Sequence, residues 1–156
     1  MSLYLFALLI GVVSGLRTFT APTAVSWGAY LGWLHMKSSP LGFLGASATP
    51  YVLSLLALGE LVVDKLPRTP SRKAPVGFGA RIVSGAFCGA AIGMAGGGVW
   101  LVGLIAGVVG AVIGALGGYE LRARLVRAIG GRDLPIALIE DACAIGGALW
   151  IVSAAG

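Results

Sequence analysis

Six acidic side chains stand in this chain of 156 residues, and four of them form two close pairs. Glu60 and Asp64 are four residues apart, so on a helix they share one face. Glu140 and Asp141 are adjacent. Both pairs lie within or at the edge of apolar runs. A charge at the centre of a bilayer costs roughly 2.5–3.5 kcal/mol on insertion scales, so such groups face a partner or water. Arginines are at hand for this: Arg17 bounds the first apolar run and Arg81 the fourth. Arg17 belongs to a polar break, Gly15-Leu16-Arg17-Thr18-Phe19-Thr20-Ala21-Pro22. A helix restarting there would be capped by Thr20 and opened by Pro22. Its free N–H groups and dipole favour an anion, and Arg17 adds a planar fork suited to carboxylate or phosphate.

The candidate substrate-binding set is therefore Arg17, Thr18, Thr20, Glu60, Asp64, Arg81, Glu140 and Asp141. Two accounts of it stand. In one, it lines a charged cavity that takes an external anion. In the other, Arg17 meets Glu60 or Glu140 of its own chain and the charges are structural ion pairs. Asp64, beside Lys65, is expected nearer the interface, where lysine can snorkel. The four carboxylates could hold a divalent cation, but the local arginines oppose it. Neither metal nor cofactor is expected. There is no HExxH, GxSxG or Walker sequence, and so no catalytic set is assigned. His35 reads as an interfacial ring beside Trp33, and Cys88 and Cys143 as small apolar side chains without a disulfide.

Lipid must be the solvent of the elements that carry these residues. The chain is 58% hydrophobic and 11% charged, against about 25% charged residues in soluble domains. One integral membrane domain, 1–156, is expected. Its fold class is an all-α membrane protein, a polytopic bundle of five to six short transmembrane segments. These are 3–16, 22–36, 51–66, 79–96, 99–118 and 134–154. The first three are short for a span of about 20 residues, and the first is broken near Arg17–Pro22. Five spans with a re-entrant pair is the alternative to six. The stretch 119–131 carries Leu121, Leu125, Val126 and Ile129 as an apolar stripe with arginines elsewhere, which suggests a surface-lying helix.

Basic residues orient the chain. Lys65, Arg68, Arg72, Lys73 and Arg81 cluster around a loop at 67–78, and Arg122, Arg124, Arg127 and Arg132 follow the fifth segment. Placing these with Arg17 in the cytoplasm leaves only Lys37 outside, among 11 Lys and Arg. Tyr4, Tyr30, Trp33, Tyr51, Trp100 and Trp150 then fall at the outer boundary, as interfacial aromatics should. The net charge of +5 thus encodes orientation, and no nucleic-acid partner is expected. No signal peptide is evident before Leu3. Glycines recur at four-residue spacing (Gly85, Gly89, Gly93, Gly97; Gly103, Gly107; Gly110, Gly114, Gly118), the pattern of a glycine zipper that lets helix backbones approach. The fourth and fifth segments should form a tight hairpin through Gly96-Gly97-Gly98. A homo-oligomer joined by the same faces is the other use of the pattern.

The break, Glu60-Leu-Val-Val-Asp64-Lys65-Leu66-Pro67 with Pro70 after it, and Gly79-Ala80-Arg81 together resemble a family of small bacterial integral membrane proteins, catalogued as a domain of unknown function. The resemblance covers nearly the whole chain. It implies an all-helical inner-membrane protein and brings no activity with it. The functional expectation is an inner-membrane protein that binds and translocates a small anionic solute or lipid headgroup. A membrane-embedded enzyme acting on a lipid headgroup and a non-catalytic scaffold are the alternatives.

Overall fold

The computed structural model describes residues 2–67 and 74–156. Arg68, Pro70, Arg72 and Lys73, which the sequence places in the basic loop, lie outside the described residues. Those described form α1 (Leu3–Leu16), α2 (Thr20–Tyr30), a 3-10 turn (Gly42–Gly45), α3 (Thr49–Val63), α4 (Pro75–Ala95), α5 (Trp100–Ala128) and α6 (Asp133–Ala155). No strand occurs among them. α4, α5 and α6 are each long and apolar enough to cross a membrane, and α1 and α3 are shorter apolar helices.

The elements differ from the expected segments at four main points, one being that α4 starts at Pro75, not at Gly79, with the proline in its first turn. α2 ends at Tyr30, not at Met36, because Gly32 turns the chain at φ 82° and the N–H groups of Trp33 and Leu34 fold back onto the Gly28 carbonyl. α3 starts at Thr49, with Pro50 in its first turn where a missing N–H costs nothing. The stretch expected as a separate surface helix is the continuation of α5, 29 residues long. Between Gly118 and Ala128 stand Leu, Arg, Ala and Glu, all good helix formers, with no proline. The helix stops only at Gly130 and Gly131, both at positive φ.

α1, α4 and α5 make a close triplet. A Cβ placed on Gly89 would overlap the Gly103 carbonyl oxygen, and one on Gly107 the Gly85 carbonyl oxygen. One on Gly11 would overlap the carbonyl oxygen of Gly107, and one on Gly114 that of Val12. Helices in lipid gain nothing from hydrophobic association, so this backbone contact is what dispersion can act on. The α4–α5 turn runs through Gly96-Gly97-Gly98, with Gly97 at φ 69° and the Gly98 N–H bonded to the Gly93 carbonyl at 2.9 Å. α2 packs on α6, α3 and the 3-10 turn. Ile10, Val25, Leu34, Ile92 and Val152 join both groups in one buried core.

The six helices run alternately between two unlike ends. One end is aromatic, with Lys37 as its one charged side chain among the described residues. There the Tyr4 hydroxyl accepts the Val99 N–H at 3.1 Å, Phe6 meets Trp150 edge-on at 6.2 Å, and Trp27 meets Tyr51 at 5.3 Å. At the other end α1 and α3 terminate, the arginine-bearing end of α5 arrives, and the first turns of α4 and α6 begin.

Candidate functional site

Arg17 closes α1 in extended conformation, its N–H still donating to the Val13 carbonyl at 2.8 Å. The chain therefore turns at the guanidinium-bearing residue, which is completely buried. Its Nη1 donates to Asp64 and its Nη2 to Asp141, with Glu140 4.0 Å away. One planar fork thus ties the end of α3 to the first turns of α6. Its Nε, also buried, has no hydrogen-bond partner among the described residues.

The network continues on both sides. Lys65 donates to the other oxygen of Asp141 at 2.5 Å and to the Leu61 carbonyl at 3.1 Å. Arg122 bonds Asp64 and Glu140, each at 3.3 Å, and grips Asp133 with Nε at 2.8 Å and Nη2 at 2.6 Å. Asp64 is shared by both arginines. It is therefore a central member of the cluster, with its neighbour Lys65 bonded to Asp141 beside it. Lys65, Arg122 and Asp133 are the three members that the sequence does not mark as part of the site. The signal for Arg122 was present: a helix continued four residues past Gly118 carries it to the level of Glu140.

Glu60 does something different. Both its oxygens face the break, accepting the N–H of Thr18 at 2.7 Å and of Phe19 at 2.8 Å. Phe19 is the N-cap of α2. The cap expected from Thr20 is absent: Thr20 is the first helical residue, buried, and makes no side-chain cap. A carboxylate is the stronger acceptor, because charge-assisted hydrogen bonds are roughly twice as strong as neutral ones, and it also meets the positive helix end. The Ser84 hydroxyl donates to the Thr18 carbonyl at 2.6 Å, which fixes the strand of the break from the α4 side. Arg81 is buried on α4, with its Nη2 4.0 Å from Glu60.

The structure gathers seven of the eight residues expected of the site into two parts. Arg17, Asp64, Glu140 and Asp141 form an interlocked ion cluster with Lys65 and Arg122. Thr18, Glu60 and Arg81 border a cleft of about 620 Å³ between the break, α3 and the start of α4, which Phe19, Asp64 and Val76 also line. Thr20 lies on the far side of the break and lines a separate apolar groove of about 240 Å³.

The chemistry available follows from the donors. Arginine keeps its protons in proteins, so Arg17 and Arg122 hold fixed positive charge among the carboxylates. The backbone donors of Thr18 and Phe19 with Arg81 nearby are an anion-binding arrangement, here filled by the chain's own Glu60. No family model, no curated protein and no solved structure matches the chain.

Proposed function

We propose that the protein is a multi-pass membrane protein that binds a small anionic solute or lipid headgroup at the break and carries it across the bilayer. The observation that supports this reading is the seat of Glu60. Its carboxylate occupies two main-chain N–H donors at a helix start, on the wall of a cleft that also holds Arg81. An external carboxylate or phosphate can take the same two donors once Glu60 swings away. Arg81 meets the incoming charge, and Arg17 with Asp64, Glu140 and Asp141 keeps the break rigid underneath. Broken helices near charged groups are the usual way transporters build such sites.

In this reading α1 and α3 also cross the membrane, giving five to six short spans in a glycine-zippered bundle, and the basic end faces the cytoplasm of a bacterial inner membrane. The proposed relatives are the small bacterial membrane proteins that share the Gly-Leu-Arg-x-Phe-x-x-Pro and Glu-x-x-x-Asp-Lys-x-Pro patterns.

Glu60→Gln separates this reading from its rival. Glutamine still offers the Thr18 and Phe19 N–H groups an acceptor but no charge, so it competes less well for them. Anion binding in detergent, followed by titration with phosphate and acetate, should tighten roughly tenfold, the worth of one charge-assisted bond. Solute flux into proteoliposomes should be lost in Arg81→Ala while the protein stays folded. The rival is a scaffold subunit, favoured by the ion pairing of Arg17, Lys65 and Arg122 with the acids of α3 and α6. It predicts no anion binding in either form and no flux.

A further inference from the structure

We propose that the ligand is an anionic membrane lipid, its head held at the break and its tail in the groove between α2, α3 and α6. This rests on the anion-binding reading above and narrows the ligand to an amphiphile. The two cavities lie on opposite sides of one thin partition. Thr18, Phe19 and Glu60 line the cleft. Their immediate chain neighbours Thr20 and Leu61 line the groove. The link from Glu60 to the N–H groups of Thr18 and Phe19 joins the two segments that both spaces border. Displacing that carboxylate, as anion binding requires, joins a charged chamber to an apolar one.

The groove has the direction a lipid tail needs. It starts at Thr20 and Leu61, level with the charged layer, and runs toward Trp27 and Ser54, nearer the aromatic end. Seven residues of helix, Thr20 to Trp27 or Ser54 to Leu61, measure about 10 Å at 1.5 Å per residue. Two of its three hydroxyls, those of Thr23 and Ser54, are already committed. Thr23 donates to the Phe19 carbonyl at 2.7 Å, and Ser54 donates to the Pro50 carbonyl at 2.6 Å while accepting the Trp27 indole N–H at 3.0 Å. The remaining lining is aliphatic, with Ala24, Ala57 and Ala148 leaving the space open. A fully hydrated anion has no use for such a chamber, whereas an acyl chain joined to a phosphate has.

α3 makes displacement feasible. Its only buried residue is Pro50, near its start, and it packs on α2 and the 3-10 turn. Its far half is held to the bundle by Glu60, Asp64 and Lys65 through polar contacts.

The test uses Trp27 as reporter. A variant with Trp33, Trp100 and Trp150 changed to Phe, all exposed positions, is reconstituted in phosphatidylcholine vesicles with chain-brominated lipid. Brominated phosphatidic acid should quench Trp27 with a preference of roughly tenfold over brominated phosphatidylcholine, the factor one charge-assisted hydrogen bond supplies. Arg81→Ala should erase the headgroup preference. Ala57→Phe, which fills the groove and touches no charge, should erase the excess quenching on its own. Equal quenching by the two lipids overturns the proposal, since the groove then holds only bulk lipid. A second arm in detergent compares inorganic phosphate with an alkyl phosphate as thermal stabilisers. If both stabilise equally, the lipid inference falls and the anion site stands. If neither does, both fall.

Discussion

Arg17 joins groups that would otherwise repel. Asp64 and Asp141 both point at it, Glu140 lies within 4.0 Å, and no water layer reaches its guanidinium. Forming such a buried cluster gains little, because desolvation offsets attraction, but removing one partner leaves uncompensated charge and costs about 3–5 kcal/mol. Arg17→Ala should therefore unfold at much lower denaturant, measured by tryptophan fluorescence in mixed micelles titrated with dodecyl sulfate. Arg17→Lys should recover only part of the loss. One ammonium lacks the two-pronged geometry that bridges two carboxylates on different helices. If lysine restored full stability, the bridging role of the fork would be wrong. The sequence showed these residues as one charged layer because all of them fall at the ends of apolar runs on the same side. It did not show who pairs with whom. Pairing depends on helix rotation, which decides that Asp64 and not Glu60 reaches Arg17, and that Glu60 turns to the backbone of the break.

Elements were legible where a breaker coincided with a change of polarity. α1 reads as Leu3–Leu16 because its apolar run stops at a charged residue. The apolar run overextends α2, because Trp33 and Leu34 stay apolar after Gly32 has already ended the helix. The change of polarity at Gly118 suggests an end to α5 there, although the backbone has no reason to stop. The glycines illustrate the same division between pattern and geometry. Gly103 and Gly107 on α5 press on the Gly89 and Gly85 carbonyls, whereas Gly146 and Gly147 on α6 have nothing within 4 Å of an added Cβ. Gly146 and Gly147 are adjacent and stand outside the four-residue spacing, and the packed structure shows the backbone contact that the spacing serves. Gly107→Ala should destabilise the bundle by about 1–3 kcal/mol or more, the usual range for overpacking. Gly146→Ala should be neutral or stabilise by up to about 1 kcal/mol through helix propensity. Thermal unfolding of the two variants in the same detergent checks both. Equal losses would mean that the α4–α5 contact is not held as described.

At the scale of the whole molecule, helix lengths are uneven. α1 has 14 residues and α3 has 15, about 21 and 22 Å at 1.5 Å per residue. α4 and α6 have 21 and 23, about 32 and 35 Å by the same rise. A bilayer core is about 30 Å thick, and mismatch costs fractions of a kcal/mol per Å. If α4, α5 and α6 alone crossed, the protein would suit a membrane of ordinary thickness or more. If α1 and α3 cross as well, the ion cluster at their ends sits at the edge of a thinner core, and a thick bilayer would draw Arg17 and Asp64 into hydrocarbon. The longer helices can tilt to fit a thin membrane, but the short ones cannot stretch to fit a thick one. The ends of α5 and α6 that carry Arg122, Asp133 and Glu140 would then stand at headgroup level, where Arg122 can hold Asp133 beside solvent. The protein should accordingly be more stable in dimyristoyl than in dierucoyl phosphatidylcholine nanodiscs, read as the midpoint of thermal unfolding. Arg17→Ala should widen that difference, because Asp64 and Asp141 lose the counter-charge of Arg17 and a thick bilayer would bury them without it. A midpoint that rises with chain length would remove α1 and α3 from the spanning set, and the break would then have to lie outside the hydrocarbon altogether.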